Sequence, residues 1–189
     1  MTKVLAISGS LRDSSYNTML LRNATELFGH DVVVEELHGL KDVPPYDEDD
    51  DGDGASEAVR SLRAAFAGAD AVLIATPEYN SSVPGHLKNA LDWVSRPLAT
   101  NPLRNKPVVV VGASTGAFGA VWAQAELRRV LAAIGARVVE AEVAVGHAPT
   151  RFDEDGTLID EDLREQLGEV VDALAAAIGE RAELARSAA

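Results

Sequence analysis

Four short aliphatic runs, Val4–Ile7, Val32–Val34, Ala71–Ala75 and Val108–Val111, constrain this chain more than any other feature. Each is continuous rather than alternating, and together they are rich in Val, Leu and Ile. Strands read that way when both faces are buried, as in a parallel sheet covered by helices on either side. A weaker fifth run extends from Arg137 to Val145. Helix-period segments lie between the runs. Leu20, Ala24, Leu27 and Phe28 follow i, i+4, i+7, i+8 spacing, with Ser14 or Ser15 available as N-cap. Further helices are expected over Ser56–Phe66, Gly85–Ser95 and Ala120–Ile134. A last one, Asp160 to Arg186, carries Leu163, Leu167, Val170, Val171, Leu174 and Ile178 as its core face.

Regular β-α alternation predicts a doubly wound parallel sheet. With no internal repeat and no long linker, residues 1–189 read as a single α/β domain. Five strands fit the flavodoxin-like order 2-1-3-4-5, whose ligand crevice opens at the carboxyl ends of strands 1 and 3. A 47% hydrophobic, 25% charged composition excludes disorder, and no run approaches the roughly 20 apolar residues of a membrane span. The chain has no cysteine, so any electron chemistry must reside in a bound cofactor. A net charge of -13 repels phosphate backbones and anionic membranes, which argues against nucleic-acid and membrane partners. Met1–Ser8 enters a strand directly, without the apolar stretch of a signal peptide, so a cytoplasmic protein is expected.

Function must then sit in the loops that follow the strands. The first, Ser8-Gly-Ser-Leu-Arg-Asp-Ser-Ser-Tyr-Asn17, offers small donors at Ser10, Ser15 and Asn17 and a planar cation at Arg12. It feeds a helix whose free N–H groups attract anions. These residue types suit either a phosphate cradle or a plainly capped helix. The second, Thr76-Pro-Glu-Tyr-Asn-Ser-Ser-Val-Pro-Gly85, is stiffened by two prolines and exposes Tyr79 and Asn80 at the switch point, where a flat heteroaromatic ligand would fit. The third, Gly112-Ala-Ser-Thr-Gly-Ala-Phe-Gly-Ala120, lets backbone approach a ligand closely. It also reads G-x-S-x-G around Ser114, the pattern of a hydrolase nucleophile, although His147 is the only downstream histidine.

Gly9-Ser-Leu-Arg12 with Ser15 and Asn17, Pro77-Glu-Tyr-Asn80, and Pro84-Gly with Leu87-Lys-Asn-Ala90 and Asp92-Trp93 together resemble the NADPH-dependent FMN reductase family. That family includes chromate, quinone and azo-dye reductases. The resemblance runs from about Val4 to Ile134. It implies FMN as cofactor and NADPH or NADH as co-substrate. A hydride would pass from nicotinamide to flavin N5, and electrons then to a small-molecule acceptor: a quinone, azo dye, metal oxyanion or free flavin. It implies that Ser10, Arg12, Ser15 and Asn17 hold the FMN phosphate, with Tyr16 also among the cofactor-binding residues. Pro77, Glu78, Tyr79 and Asn80 would flank the isoalloxazine, and Ser114, Thr115 and Gly116 would close the far side. No side chain is expected to act as a protein acid or base. A homodimer or homotetramer is implied as well. Two departures stand out. Gly119-Ala120-Val121-Trp122 places Ala and Trp where the family commonly has a second Gly and an Arg, and Ser81 replaces the Tyr of some chromate and quinone reductases.

The second functional class is an FMN-binding electron carrier or redox sensor without pyridine-nucleotide turnover, although the Thr/Ser/Gly-rich loop of flavodoxins is absent. Asp47-Glu-Asp-Asp-Asp-Gly52 begins like a calcium loop, but Ala58 stands where a bidentate Glu is needed, so a solvated acidic loop is expected. His30, His38, His86 and His147 lack metal spacing, and only His86 lies near the flavin motif. Trp93 and Trp122 read as packing residues. One consequence is testable at once: Arg12→Ala removes a charge-assisted phosphate contact and should weaken FMN binding about 10- to 100-fold in a fluorescence-quenching titration. Wild-type affinity in that variant would refute the phosphate assignment.

Overall fold

A computed structural model describes residues 1–52 and 54–187. The strands are β1 (Thr2–Ser8), β2 (Val32–Glu36), β3 (Ala71–Thr76), β4 (Pro107–Ala113), β5 (Arg137–Val138) and β6 (Ala144–Val145). The helices are α1 (Tyr16–Glu26), α2 (Glu57–Gly68), α3 (Gly85–Val94), α4 (Val121–Ala133) and α5 (Glu161–Ser187). All pairings are parallel, in the order β2-β1-β3-β4-β5, with β6 also on β4. This is the doubly wound order expected from the sequence.

The aliphatic runs are buried on both faces. Every residue of β3 and β4 is buried. Alternate residues feed two cores. Leu5, Ile7, Val72, Ile74, Val108 and Val110 pack against α2, α3 and α4 through Leu62, Phe66, Leu91 and Leu127. Val4, Ala6, Leu73, Ala75, Val109 and Val111 pack against α1 and α5 through Leu20, Leu21, Leu167 and Leu174. The α5 stripe is therefore its core face. Ser15 and Ser56 cap α1 and α2 with their hydroxyls.

The fifth run differs from expectation. Instead of one strand it forms two short pieces, Arg137–Val138 against Pro107–Val108 and Ala144–Val145 against Gly112–Ala113. The intervening segment carries Glu140 and Glu142, which a doubly covered strand cannot hold. Arg128 of α4 fills the gap. Its guanidinium donates to Val110 O at 3.3 Å and Ala141 O at 3.5 Å and pairs with Glu142 at 2.9 Å. One side chain thus supplies the partner that the interrupted ladder lacks.

Trp93 is a packing residue, with its indole N–H on Pro44 O at 2.8 Å and its ring edge-on to Tyr46. Trp122 is not: it is 49% exposed, with its ring edge-on to the exposed Phe118 ring. In the acidic loop, Asp51 pairs with Arg63 at 2.9 Å, and Asp47 accepts from the Asp49 N–H. Asp53 lies outside the described residues. Among the described residues no group of three or more potential metal ligands occurs.

Lys106 is almost fully buried, and its ammonium donates to Phe66 O and Ala69 O at the end of α2. A cation is favourable at a helix C-terminus, but the site is dry. Burial, and secondarily Arg181, lower its pKa from 10.5 to about 8 against the opposing pull of Asp70. Between about pH 8 and 10.5 the unfolded chain therefore holds more protons than the folded one, so this group makes stability rise with pH across that window. Lys106→Met should remove that rise, because the variant has no group at this position that titrates differently in the folded and unfolded chain. Urea denaturation of wild type and variant at pH 7 and pH 10 measures it: the gain in stability between the two pH values should be smaller in the variant.

Candidate active site at the switch point

The carboxyl ends of β1, β3 and β4 lie side by side, and their loops meet above them. At Gly9 the chain leaves β1 with its N–H on Ala75 O at 2.7 Å. A Cβ there would sit 2.9 Å from Leu87 Cδ2 and 3.2 Å from Ala75 O, so glycine lets the loop turn tightly over β3. His86, in the first turn of α3, holds the same residue through Nε2 and Gly9 O at 2.9 Å. The Thr18 hydroxyl donates to Ser8 Oγ at 2.9 Å, and the Arg12 N–H reaches Ser10 Oγ at 3.4 Å. Arg12 is exposed, touches Ser14 O at 3.3 Å and makes no ion pair among the described residues. Ser15 Oγ accepts from the N–H groups of Asn17 and Thr18. Tyr16 stacks on Phe152 at 5.8 Å. Asn17 is buried, and its side-chain amide makes two hydrogen bonds to the backbone of Ala113.

The second loop owes its shape to more than its prolines. Tyr79 and Ser82 exchange two N–H···O bonds of 3.1 Å, with Asn80 at φ 53° and Ser81 at φ 60°. Two left-handed central residues make this the tight hairpin turn favoured by Asn. Tyr79 is left 47% exposed. Glu78 also reaches α4. Its Oε2 accepts from the N–H groups of Trp122 and Ala123, each at 3.1 Å. It therefore caps α4, whose own N-cap residue, Ala120, has no side chain to do so. Ala120 has φ 64°, in the left-handed region that favours glycine.

The third loop is pressed onto β6 and the residues that follow it. A Cβ on Gly119 would lie 2.3 Å from Ala144 C, and one on Gly146 would lie 2.1 Å from Ala117 O. Ser114 N–H donates to Val145 O and His147 N–H to Gly116 O. Ser114 Oγ accepts from the Gly116 N–H at 3.1 Å. Among the described hydrogen bonds none joins the His147 ring to that hydroxyl, and α4 begins only at Val121. Neither the contact nor the sharp strand-to-helix elbow of a serine hydrolase is formed.

All the expected site residues except Asn80 and Gly116 line one cleft of about 140 Å³. Ala113 lines it too; sequence reasoning passed over it because an alanine contributes only backbone there. A larger hollow of about 330 Å³ between α1 and β2 contains none of the expected residues. The cleft combines an exposed cation, serine hydroxyls and a helix N-terminus with a hydrogen-bonded turn carrying an exposed phenol ring. A phosphate ester attached to a flat ring meets complementary chemistry on both sides.

The chain matches the family model "NADPH-dependent FMN reductase" over residues 2–150. It is 42% identical to an NAD(P)H-dependent FMN reductase of Pseudomonas aeruginosa, over 91% of this chain and 92% of that protein. It is 38% identical to a 2-hydroxy-1,4-benzoquinone reductase of a Burkholderia species, over 95% and 97%. Among solved structures, the flavoenzyme NAD(P)H:(acceptor) oxidoreductase FerB of Paracoccus denitrificans superposes with a TM-score of 0.86 at 35% identity, covering 95% of this chain and 98% of that one. With the motifs, the sheet order and the cleft in agreement with these likenesses, the chain belongs to the NADPH-dependent FMN reductase family.

Proposed function

We propose that this protein is an FMN-dependent NAD(P)H oxidoreductase that delivers electrons to a small quinone-type acceptor, with FMN seated in the switch-point cleft. The observation that carries the reading is Arg12, a guanidinium that makes no ion pair among the described residues, just before α1 and lining the same cleft as Tyr79. In a chain of net charge -13 such a cation stands out as an anion site. Ser10, Arg12 and Ser15 hold the phosphate, and Tyr16 and Asn17 line the same cleft. Pro77, Glu78, Tyr79 and Asn80 line the ring side, and Ser114, Thr115 and Gly116 close it. FMN bound there supplies the two-electron chemistry between NAD(P)H and the acceptor.

The protein's own task is placement and electrostatics. Tyr79 offers an exposed ring beside the opening, and the 79–82 turn keeps its backbone in one conformation. Serine hydroxyls and loop amides stand ready to stabilise added negative charge without reorganising. No side chain moves a proton in this scheme. The quinone class follows from the names of the relatives, one of them a 2-hydroxy-1,4-benzoquinone reductase. The proposal includes a cytoplasmic, dimeric enzyme. Among the described residues no helix is long and apolar enough to cross a membrane, and the exposed Phe118–Trp122 pair is apolar surface that a second subunit would cover.

The test is a visible spectrum of the protein with FMN, titrated with NADPH and NADH under argon and then with 1,4-benzoquinone. Flavin that binds, bleaches within seconds and recovers its colour on adding quinone is the expected outcome. Bound flavin that stays yellow under both nucleotides would instead favour a carrier, and failure to bind flavin would overturn the reading.

A further inference from the structure

Asn17 is expected from the resemblance to be a phosphate ligand, yet its side chain is spent elsewhere. It is only 3% exposed. Its Nδ2 donates to Ala113 O at 3.0 Å, and its Oδ1 accepts from the Ala113 N–H at 2.9 Å. Ala113 is the last residue of β4, and pairing between β3 and β4 stops one residue earlier, at Thr76 and Gly112. The other edge of β4 is already served, since Gly112 and Ser114 donate to Val143 O and Val145 O. The amide of Asn17 therefore continues the ladder beyond the end of β3, in place of a strand residue. It joins the start of α1 to the residue that launches Ser114, Thr115 and Gly116.

We propose that Asn17 is a positioning residue: it sets the width of the flavin cleft by tying the α1 wall to the β4 wall, and so acts on the whole flavin rather than on its phosphate. This rests on FMN occupying the cleft. Removing the amide frees both walls and leaves the Ala113 N–H and C=O without partners, whereas a phosphate ligand would affect only phosphorylated flavin.

Apoprotein should be titrated with FMN and with riboflavin by fluorescence quenching, in wild type, Asn17→Ala and Arg12→Ala. Asn17→Ala should weaken both flavins by a similar factor of about tenfold, while Arg12→Ala weakens FMN alone. Loss confined to FMN in Asn17→Ala, or no loss for either flavin, overturns the proposal. Asn17→Asp supplies a second test if the alanine variant does not fold. Its carboxylate still accepts from the Ala113 N–H but opposes Ala113 O, and protonation restores a donor. Riboflavin affinity of that variant should recover as pH falls, while the wild type stays flat; parallel profiles overturn the latch. If the wild type binds neither flavin, the functional reading fails on its own. The latch is then judged by amide hydrogen exchange of residues 113–116, which should quicken in Asn17→Asp; unchanged protection refutes it.

Discussion

Burial of β3 and β4 on both faces is the constraint from which the rest of the molecule follows. A strand enclosed between two helix layers can carry no polar side chain along its length, so recognition and chemistry are pushed to its ends. The order 2-1-3-4-5 then brings the ends of β1, β3 and β4 together. Three loops far apart in sequence become the walls of one cleft, on a floor of interlocked Val, Leu and Ile that cannot shift without opening cavities.

What holds those walls is a small set of long-range hydrogen bonds. Asn17 reaches Ala113, Glu78 reaches the first turn of α4, and His86 reaches Gly9. Each joins two parts of the chain that are not neighbours in sequence. Together they tie the walls of the cleft to one another, and ties of that kind lower the cost of ordering on binding. The two glycines at 119 and 146 do the same by contact alone, allowing backbone against backbone where a methyl group would collide.

The parts legible in the sequence were those with local signatures. Aliphatic runs marked the strands, Ser15 and Ser56 marked helix starts, and the α5 stripe marked its buried face. The Asn80-Ser81 turn carried a hint in its asparagine, which prolines on either side overshadowed. The remainder had no local mark. Nothing around Glu78 shows that its carboxylate will cap a helix beginning more than forty residues later. Nothing around Asn17 shows that its amide will act as a strand residue, and Arg128 gives no sign that it will stand in for a missing stretch of β5. Trp122 looked like core because tryptophan usually is; only the fold reveals that its side of α4 faces outward.

The borrowed cap on α4 bears on the order in which the chain assembles. Ala120 cannot close the helix's first turn, so those N–H groups stay open until the 77–82 loop arrives with Glu78. Helix nucleation is the costly step, and here part of its reward is withheld until a distant segment has docked. A peptide spanning 117–135 alone would fray at its start, whereas in the intact chain α4 and the β3–α3 loop gain their final form together. The same carboxylate that trims one wall of the cleft thereby makes local and global folding a single event, and partly assembled forms with a finished α4 and an open crevice are disfavoured.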